Sequence, residues 1–208
     1  MAKRFERRRW SLFLCFLAGY LNVLGILMVA APTSHFTGNA SQLVLALGAG
    51  ETGRALLLLV LFFSFIFGSG LSGFLSTKFE TTKLYVLTLQ VIGLLLLIAS
   101  FFPDILLGAT IAFTLGFQNA LGLYYRGTKV RTTHITGYLT DLGYELGHSL
   151  GVGNRNLWKV SYFGISILIF ILGGGVYYMI HSISIYLPLP IAGVFYILTS
   201  YIFKSQDR

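Results

Sequence analysis

A short motif of histidine, threonine and glycine occurs twice in this chain, and its residue types could form a polar binding site. Residues 33–38 read TSHFTG and residues 132–137 read TTHITG, so His35 and His134 are equivalent positions 99 residues apart. Ser and Thr compete for backbone hydrogen bonds and Gly breaks helices, whereas Ser and Thr are favoured where a helix begins. Each copy is therefore predicted to be a short extended segment followed by a helix.

The start of such a helix is a site for an anionic or dipolar ligand. Its free backbone N–H groups and the helix dipole place about half a positive charge there. Two starts that approach from opposite leaflets would meet near the middle of a membrane. We therefore predict a substrate-binding site that comprises Asn22, His35, Thr37, Gly38, Asn39, Gln42, Asn119, His134, Thr136 and Gly137. The alternatives are that the two asparagines only bond neighbouring helices and that each histidine only caps a loop.

An acidic face follows the second motif alone. Asp141, Glu145 and His148 are spaced by four and three residues and share one side of a helix. Ionisable groups inside a membrane are costly and point to function, so Asp141, together with His134, is predicted to carry protons. We expect Asp141 to be buried, in which case Asp141→Asn would abolish proton-driven uptake. The alternatives are a structural pair between Asp141 and Arg131 or Arg126, and a headgroup location for Glu145 and His148.

The elements that must position these residues are membrane spans. The chain is 55% hydrophobic and 11% charged, whereas soluble domains carry about 25% charged residues. A span needs about 20 residues, and six uncharged runs are long enough. These runs cover approximately residues 10–31, 55–76, 84–102, 105–124, 160–180 and 183–203. The lipid bilayer is thus the first predicted partner.

The basic residues predict the topology. Of the 15 Lys and Arg residues, 14 lie before the first span, in alternate loops or after the last span, and only Arg54 lies on the other side. Short cytoplasmic loops carry an excess of Lys and Arg, so both termini are predicted to be cytoplasmic. The net charge of +8 then reflects topology, and nucleic acid is not an expected partner.

The duplication extends beyond the histidine motif and predicts how the halves are arranged. Residues 19–25 match residues 116–122, with Asn22 equivalent to Asn119. Each half, 1–102 and 103–208, holds three spans, and an odd number requires the second half to enter from the opposite side. The predicted fold is an all-α integral membrane protein of six transmembrane helices and two short re-entrant helices, arranged as two inverted repeats.

The two re-entrant helices are predicted at about residues 37–50 and 136–151. At 1.5 Å per residue each is about 21 Å long, which is short of a hydrocarbon core of about 30 Å. The alternative is eight full spans with parallel halves. That count would place Lys78 and Lys83 outside, so the charge distribution disfavours it.

Enzymatic chemistry finds little support in the residues. There is no phosphate-binding loop, nucleophile elbow or regular metal-ligand spacing, and a metal shared by His35 and His134 is a weak alternative. Cys15 is the only cysteine, so an intrachain disulfide is excluded. No enzyme activity, cofactor or metal is predicted.

The two motifs and the hydropathy profile resemble the YoaK family of bacterial inner-membrane proteins, which is known by a domain of unknown function. The residues that carry the resemblance are 37–39 (TGN), 118–119 (QN) and 132–137 (TTHITG). The resemblance implies a bacterial integral membrane protein. It supplies neither a substrate nor functional residues.

The residues therefore predict a small secondary transporter of a polar or anionic solute in the bacterial inner membrane, with proton coupling as an added hypothesis. A passive channel, aquaporin-like by analogy, is the second hypothesis, and a membrane scaffold that transports nothing is the third. A homo-oligomer is compatible with each of them.

Overall fold

The computed structural model describes residues 8–79, 81–99, 101–121, 123–152 and 157–205 of the chain. This part of the chain is all-α apart from one two-stranded hairpin. The helices are α1 Arg8–Val29, α2 Phe36–Gly48, α3 Thr52–Leu75, α4 Thr81–Ala99, α5 Asp104–Ala120, α6 Ile135–Val152, α7 Leu157–Ile183 and α8 Pro188–Ser205. The strands are β1 Leu123–Tyr125 and β2 Thr128–Val130.

Three of these helices are long and apolar enough to cross a membrane. They are α1, α3 and α7, with 22, 24 and 27 residues. Shorter apolar helices occur at Lys83–Ala99 and Pro188–Tyr201. Large apolar side chains such as Phe63 and Leu168 lie on the outer surface of the bundle. A soluble protein would bury such side chains, so the chain has the composition and surface of a membrane protein.

The helices pack in pairs that follow the sequence repeat. The closest pairs are α1 with α7, α3 with α5, and α4 with α8, while α2 packs on α3 and α6 packs on α7. If α1 to α4 are matched in order with α5 to α8, the α1–α7 pair corresponds to the α5–α3 pair. The α4–α8 pair corresponds to itself, with its two helices exchanged. The two halves are therefore interlocked, because each long helix of one half packs against a helix of the other.

Glycines allow the closest approach of each pair, because small residues let helix backbones meet. A Cβ atom at Gly173 of α7 would lie 2.0 Å from the Phe16 carbonyl oxygen, and one at Gly68 of α3 would lie 2.2 Å from that of Phe113. The α4–α8 pair crosses at Gly93 and Gly193, where a Cβ on either glycine would meet the other's carbonyl oxygen at 2.6 and 2.7 Å. These are positions at which a side chain cannot be accommodated without separating the helices.

The ends of several helices differ from the predicted spans. The first span was predicted to reach residue 31, but α1 ends at Val29, and Ala30 has a φ of 52°, a left-handed conformation that stops the helix. The sixth was predicted from residue 183, but α8 begins at Pro188. Proline lacks a backbone N–H and is best accommodated in the first turn of a helix.

The hairpin was not predicted. The fourth span was expected to continue to residue 124, but α5 ends at Ala120 and the chain then forms antiparallel strands that pair Leu123 with Val130. Arg126 and Gly127 form the turn with φ values of 48° and 77°, as a two-residue hairpin turn with positive φ at both positions requires. The hairpin takes the place that the last turns of α1 occupy in the first half.

Candidate functional site

The two copies of the histidine motif line a single cavity of about 470 Å³. The first copy contributes the segment where the chain leaves α1 and enters α2, and the second contributes the segment between β2 and α6. The residues that line the cavity are Ser34, His35, Phe36, Thr37, Gly38, Phe65, Asn119, Arg131, Thr133, His134, Ile135 and Thr136. The structure thus brings together six of the ten residues that the sequence predicted for substrate binding.

In the first half the histidine is tied to the protein. The Ser34 hydroxyl donates to Asn22 Oδ1 at 2.9 Å and lies 3.0 Å from His35 Nδ1. The His35 ring packs edge-on against Phe170 of α7, with ring centres 5.5 Å apart. Asn22 does not line the cavity, but it orients Ser34 and His35, which are two of the lining residues.

In the second half the histidine is less constrained. Asn119 Oδ1 accepts a hydrogen bond from the Thr133 backbone N–H at 3.2 Å, which fixes the segment before α6. The His134 ring lies over Gly137, where an added Cβ would be 2.4 Å from ring atom Cε1. The equivalent Gly38 has open space at that position. Gly137 therefore has a steric role beneath the imidazole that Gly38 lacks.

Both imidazoles line this cavity. They face one cavity from different halves of the fold. A proton that binds to either ring therefore changes the electrostatic environment of the other, and of any solute between them.

A buried polar network supports the second segment from behind. Gln118 Nε2 donates to the Leu14 carbonyl and to Thr132 Oγ1, at 2.9 and 2.8 Å, and its Oε1 accepts from the Tyr196 hydroxyl. The Cys15 thiol donates to the Thr132 carbonyl at 3.1 Å. Sequence reasoning missed this network, although Gln118 stands beside the repeated Asn119 and is a polar residue inside an apolar run.

Two predicted binding residues instead have structural contacts away from the cavity. Asn39 is fully buried, and its Nδ2 donates to the Pro32 carbonyl at 2.6 Å. Gln42 accepts a hydrogen bond from Arg54, whose guanidinium also donates to the carbonyls of Val29 and Ala30 at the end of α1. Both residues therefore hold the loop between α1 and α2 in place.

The acidic face of α6 differs from the expectation. Asp141, expected to be buried, is exposed and does not line the cavity. Glu145, for which a headgroup location was considered, is 6% exposed and forms a salt bridge with Lys159. His148 is exposed and stacks on Tyr144. The difference arises because α6 packs only one side against α7, and Glu145 is on that side.

Among the described residues that line the cavity, Arg131 alone has a permanent positive charge. The sequence suggested for it only a loop position or a pair with Asp141. Its backbone N–H donates to the Tyr138 hydroxyl at 3.2 Å. Among the described residues, no group of three or more His, Cys, Asp or Glu side chains is placed to hold a metal ion. The candidate site is a cavity lined by both polar and apolar side chains, with the positive charge of Arg131 at its wall.

Comparison with known proteins gives a family and no function. Residues 10–202 match the sequence model of a family described as a protein of unknown function, DUF1275. Neither the curated proteins nor the solved structures contain a match to this chain. The family match covers nearly the whole chain and is consistent with the domain of unknown function that the motifs suggested. The chain belongs to the DUF1275 family.

Proposed function

We propose that this protein is a secondary transporter of a small polar or anionic solute, which binds between the two copies of the histidine motif. The observation that carries the proposal is the single cavity lined by both copies. Its volume is within the range of about 300–1,000 Å³ that small-molecule sites occupy. In transporters built from repeats, the substrate site lies at the repeat interface, beside the ends of broken or short helices.

The paired packing is that of two equivalent halves, which we propose to be inverted relative to each other. Alternating access requires two similar units that can rock against each other around a site between them. Here α1 and α7, and equivalently α5 and α3, form two such units, each with one helix from each half. The helices α2 and α6 pack on α3 and α7, and they begin at the two motif segments that line the cavity.

The bacterial inner membrane and cytoplasmic termini are part of the proposal, and labelling of single cysteines tests them. In a Cys15→Ser background, Glu51→Cys, in the exposed loop before α3, should react with an impermeant thiol reagent in intact cells. Thr128→Cys, which is exposed on the hairpin, should react only after the cells are permeabilised. Labelling of both positions from outside would contradict the inverted arrangement.

Uptake into proteoliposomes tests transport itself. Radiolabelled glycine, succinate, phosphate and glycerol are suitable probes, with an outward and an inward pH gradient for each. We expect the protein to accumulate at least one probe above its external concentration. Gly137→Ala should reduce that uptake at least tenfold, because the new methyl group displaces the His134 ring.

Gly143→Ala is the matched control, since it adds the same methyl group on α6 at an exposed position that has open space and lies outside the cavity. It should keep uptake within about twofold of the wild type, as expected for surface substitutions that contact nothing. Equilibration of a probe without accumulation would favour the passive channel. The absence of any flux for all four probes, in protein that is folded, would favour the scaffold.

The proposed proton coupling is assigned first to the imidazoles. His134 lines the cavity, whereas the burial that supported Asp141 is absent. Asp141 remains the competing candidate, and the same uptake assay separates the two residues.

A further inference from the structure

The charge of the cavity is one-sided. Arg131 and the two histidines line it, and no Asp or Glu is among the described residues of the lining. A cation that entered would meet the Arg131 guanidinium and no compensating carboxylate. Arg131 is exposed at the cavity wall, so its charge attracts anions and repels cations there.

Two hydrogen-bond donors of cavity-lining residues have no partner in the part of the chain that the structure describes. Thr133 is 3% exposed, yet its hydroxyl has no partner among the described residues, and neither has Asn119 Nδ2. Both residues line the cavity. In the first half, by contrast, the equivalent Ser34 hydroxyl is bonded to Asn22. A hydrogen-bond donor at a cavity that has no protein partner is usually satisfied by water or a ligand.

The backbone adds donors of the same kind. Beyond the N–H groups of Ile135 and Tyr138, which bond to Thr133 and His134 carbonyls, the first turn of α6 has no capping bond among the described residues. The first turn of α2 likewise has no side-chain cap. The unpaired N–H groups at each helix start favour negative charge.

We infer that this cavity binds a small oxyanion, held by Arg131, Asn119 Nδ2 and the Thr133 hydroxyl beside the start of α6. The inference rests on the proposed function and narrows its substrate class. The planar guanidinium can present two parallel N–H groups, which match two oxygens of a carboxylate or a phosphate group. The hydroxyl and the amide would complete the shell with further donors.

Equilibrium binding without a gradient tests the inference. Purified full-length protein in detergent is titrated calorimetrically with sodium succinate, lactate, phosphate and sulfate, and with glycerol and choline chloride as neutral and cationic probes, at constant ionic strength. We expect saturable binding of at least one oxyanion and none of glycerol or choline. Arg131→Gln should weaken that binding about tenfold or more, because a charge-assisted hydrogen bond is lost.

Lys129→Gln is the matched control, because it removes the same charge two residues away on the exposed hairpin, outside the cavity. It should bind the oxyanion like the wild type. Thr133→Val, which keeps the shape and removes the hydroxyl, gives a second test if Arg131→Gln misfolds, and it should also weaken binding. Equal affinities for Arg131→Gln and Lys129→Gln, or an absence of oxyanion binding, would overturn the inference.

The outcome also separates this inference from the proposed function. Arg131-dependent oxyanion binding without any uptake in proteoliposomes would support the oxyanion site and contradict the proposed transport function. Accumulation of glycerol or glycine that is unchanged by Arg131→Gln would support the proposed transport function and contradict the oxyanion site.

Discussion

Replacing Gly173 with valine should prevent the chain from reaching its native packing. A Cβ at this position would lie 2.0 Å from the Phe16 carbonyl oxygen and 2.8 Å from its carbonyl carbon, both in the backbone of α1. A flexible side chain could rotate away, but a helix backbone cannot, so α1 and α7 must separate. Overpacking a core costs about 1–3 kcal/mol and more where the backbone is rigid. Folded yield in detergent and the midpoint of thermal unfolding measure the effect.

Gly175→Val provides the control on the same helix. It adds the same β-branched side chain, but a Cβ there has open space. We expect its thermal midpoint to stay within a few degrees of the wild type, while Gly173→Val yields little or no folded protein. The same contrast is expected between Gly68→Val and Gly70→Val on α3. If Gly173 and Gly175 tolerated valine equally, the close approach of α1 and α7 would be wrong.

The repeat could be predicted because both kinds of evidence for it are local in sequence. The two histidine motifs and the blocks around Asn22 and Asn119 are readable without knowing any contact. The prediction that the two motif segments approach one cavity follows from that equivalence and from the preference of Thr and Ser for helix starts. Both segments do line one cavity in the structure.

The parts that could not be predicted depend on contacts between distant residues. Gln42 seemed to belong to the site because it follows the motif, but its partner is Arg54 on the next helix. Asp141 and Glu145 share a helix face in sequence, but the direction in which α6 packs decides which of them is buried. Hydrophobic periodicity shows which residues share a face of a helix, but it does not show which element packs against that face.

The position of Arg131 in the cavity could not be predicted for the same reason. Arg131 was counted among the basic residues that indicate cytoplasmic loops, and that pattern is averaged over many residues. The β1–β2 hairpin returns the chain toward the bundle, so Arg131 lines the cavity beside His134. A two-residue Arg-Gly turn is a weaker signal than Asn-Gly, and the flanking apolar residues resembled the end of a span.

Proton-driven uptake is expected to be lost in His134→Gln. Glutamine retains a polar side chain of similar reach, but it does not bind a proton near neutral pH. If His134 carries the coupled proton, uptake by the variant under a pH gradient should be at least tenfold lower than uptake by the wild type. Exchange of labelled for unlabelled solute without a gradient should continue. The measurement uses proteoliposomes and the probe that the wild-type protein accumulates.

Three variants decide whether His134 is the coupling residue. His148→Gln, on the helix that follows His134 and stacked on Tyr144, should retain gradient-driven uptake, since it lies outside the cavity. Asp141→Asn should also retain it, because Asp141 does not line the cavity. His35→Gln should reduce it, since His35 shares the cavity and the electrostatic environment of His134. Loss of coupling in Asp141→Asn with normal coupling in His134→Gln would move the proton site to the carboxylate and onto the uncovered face of α6.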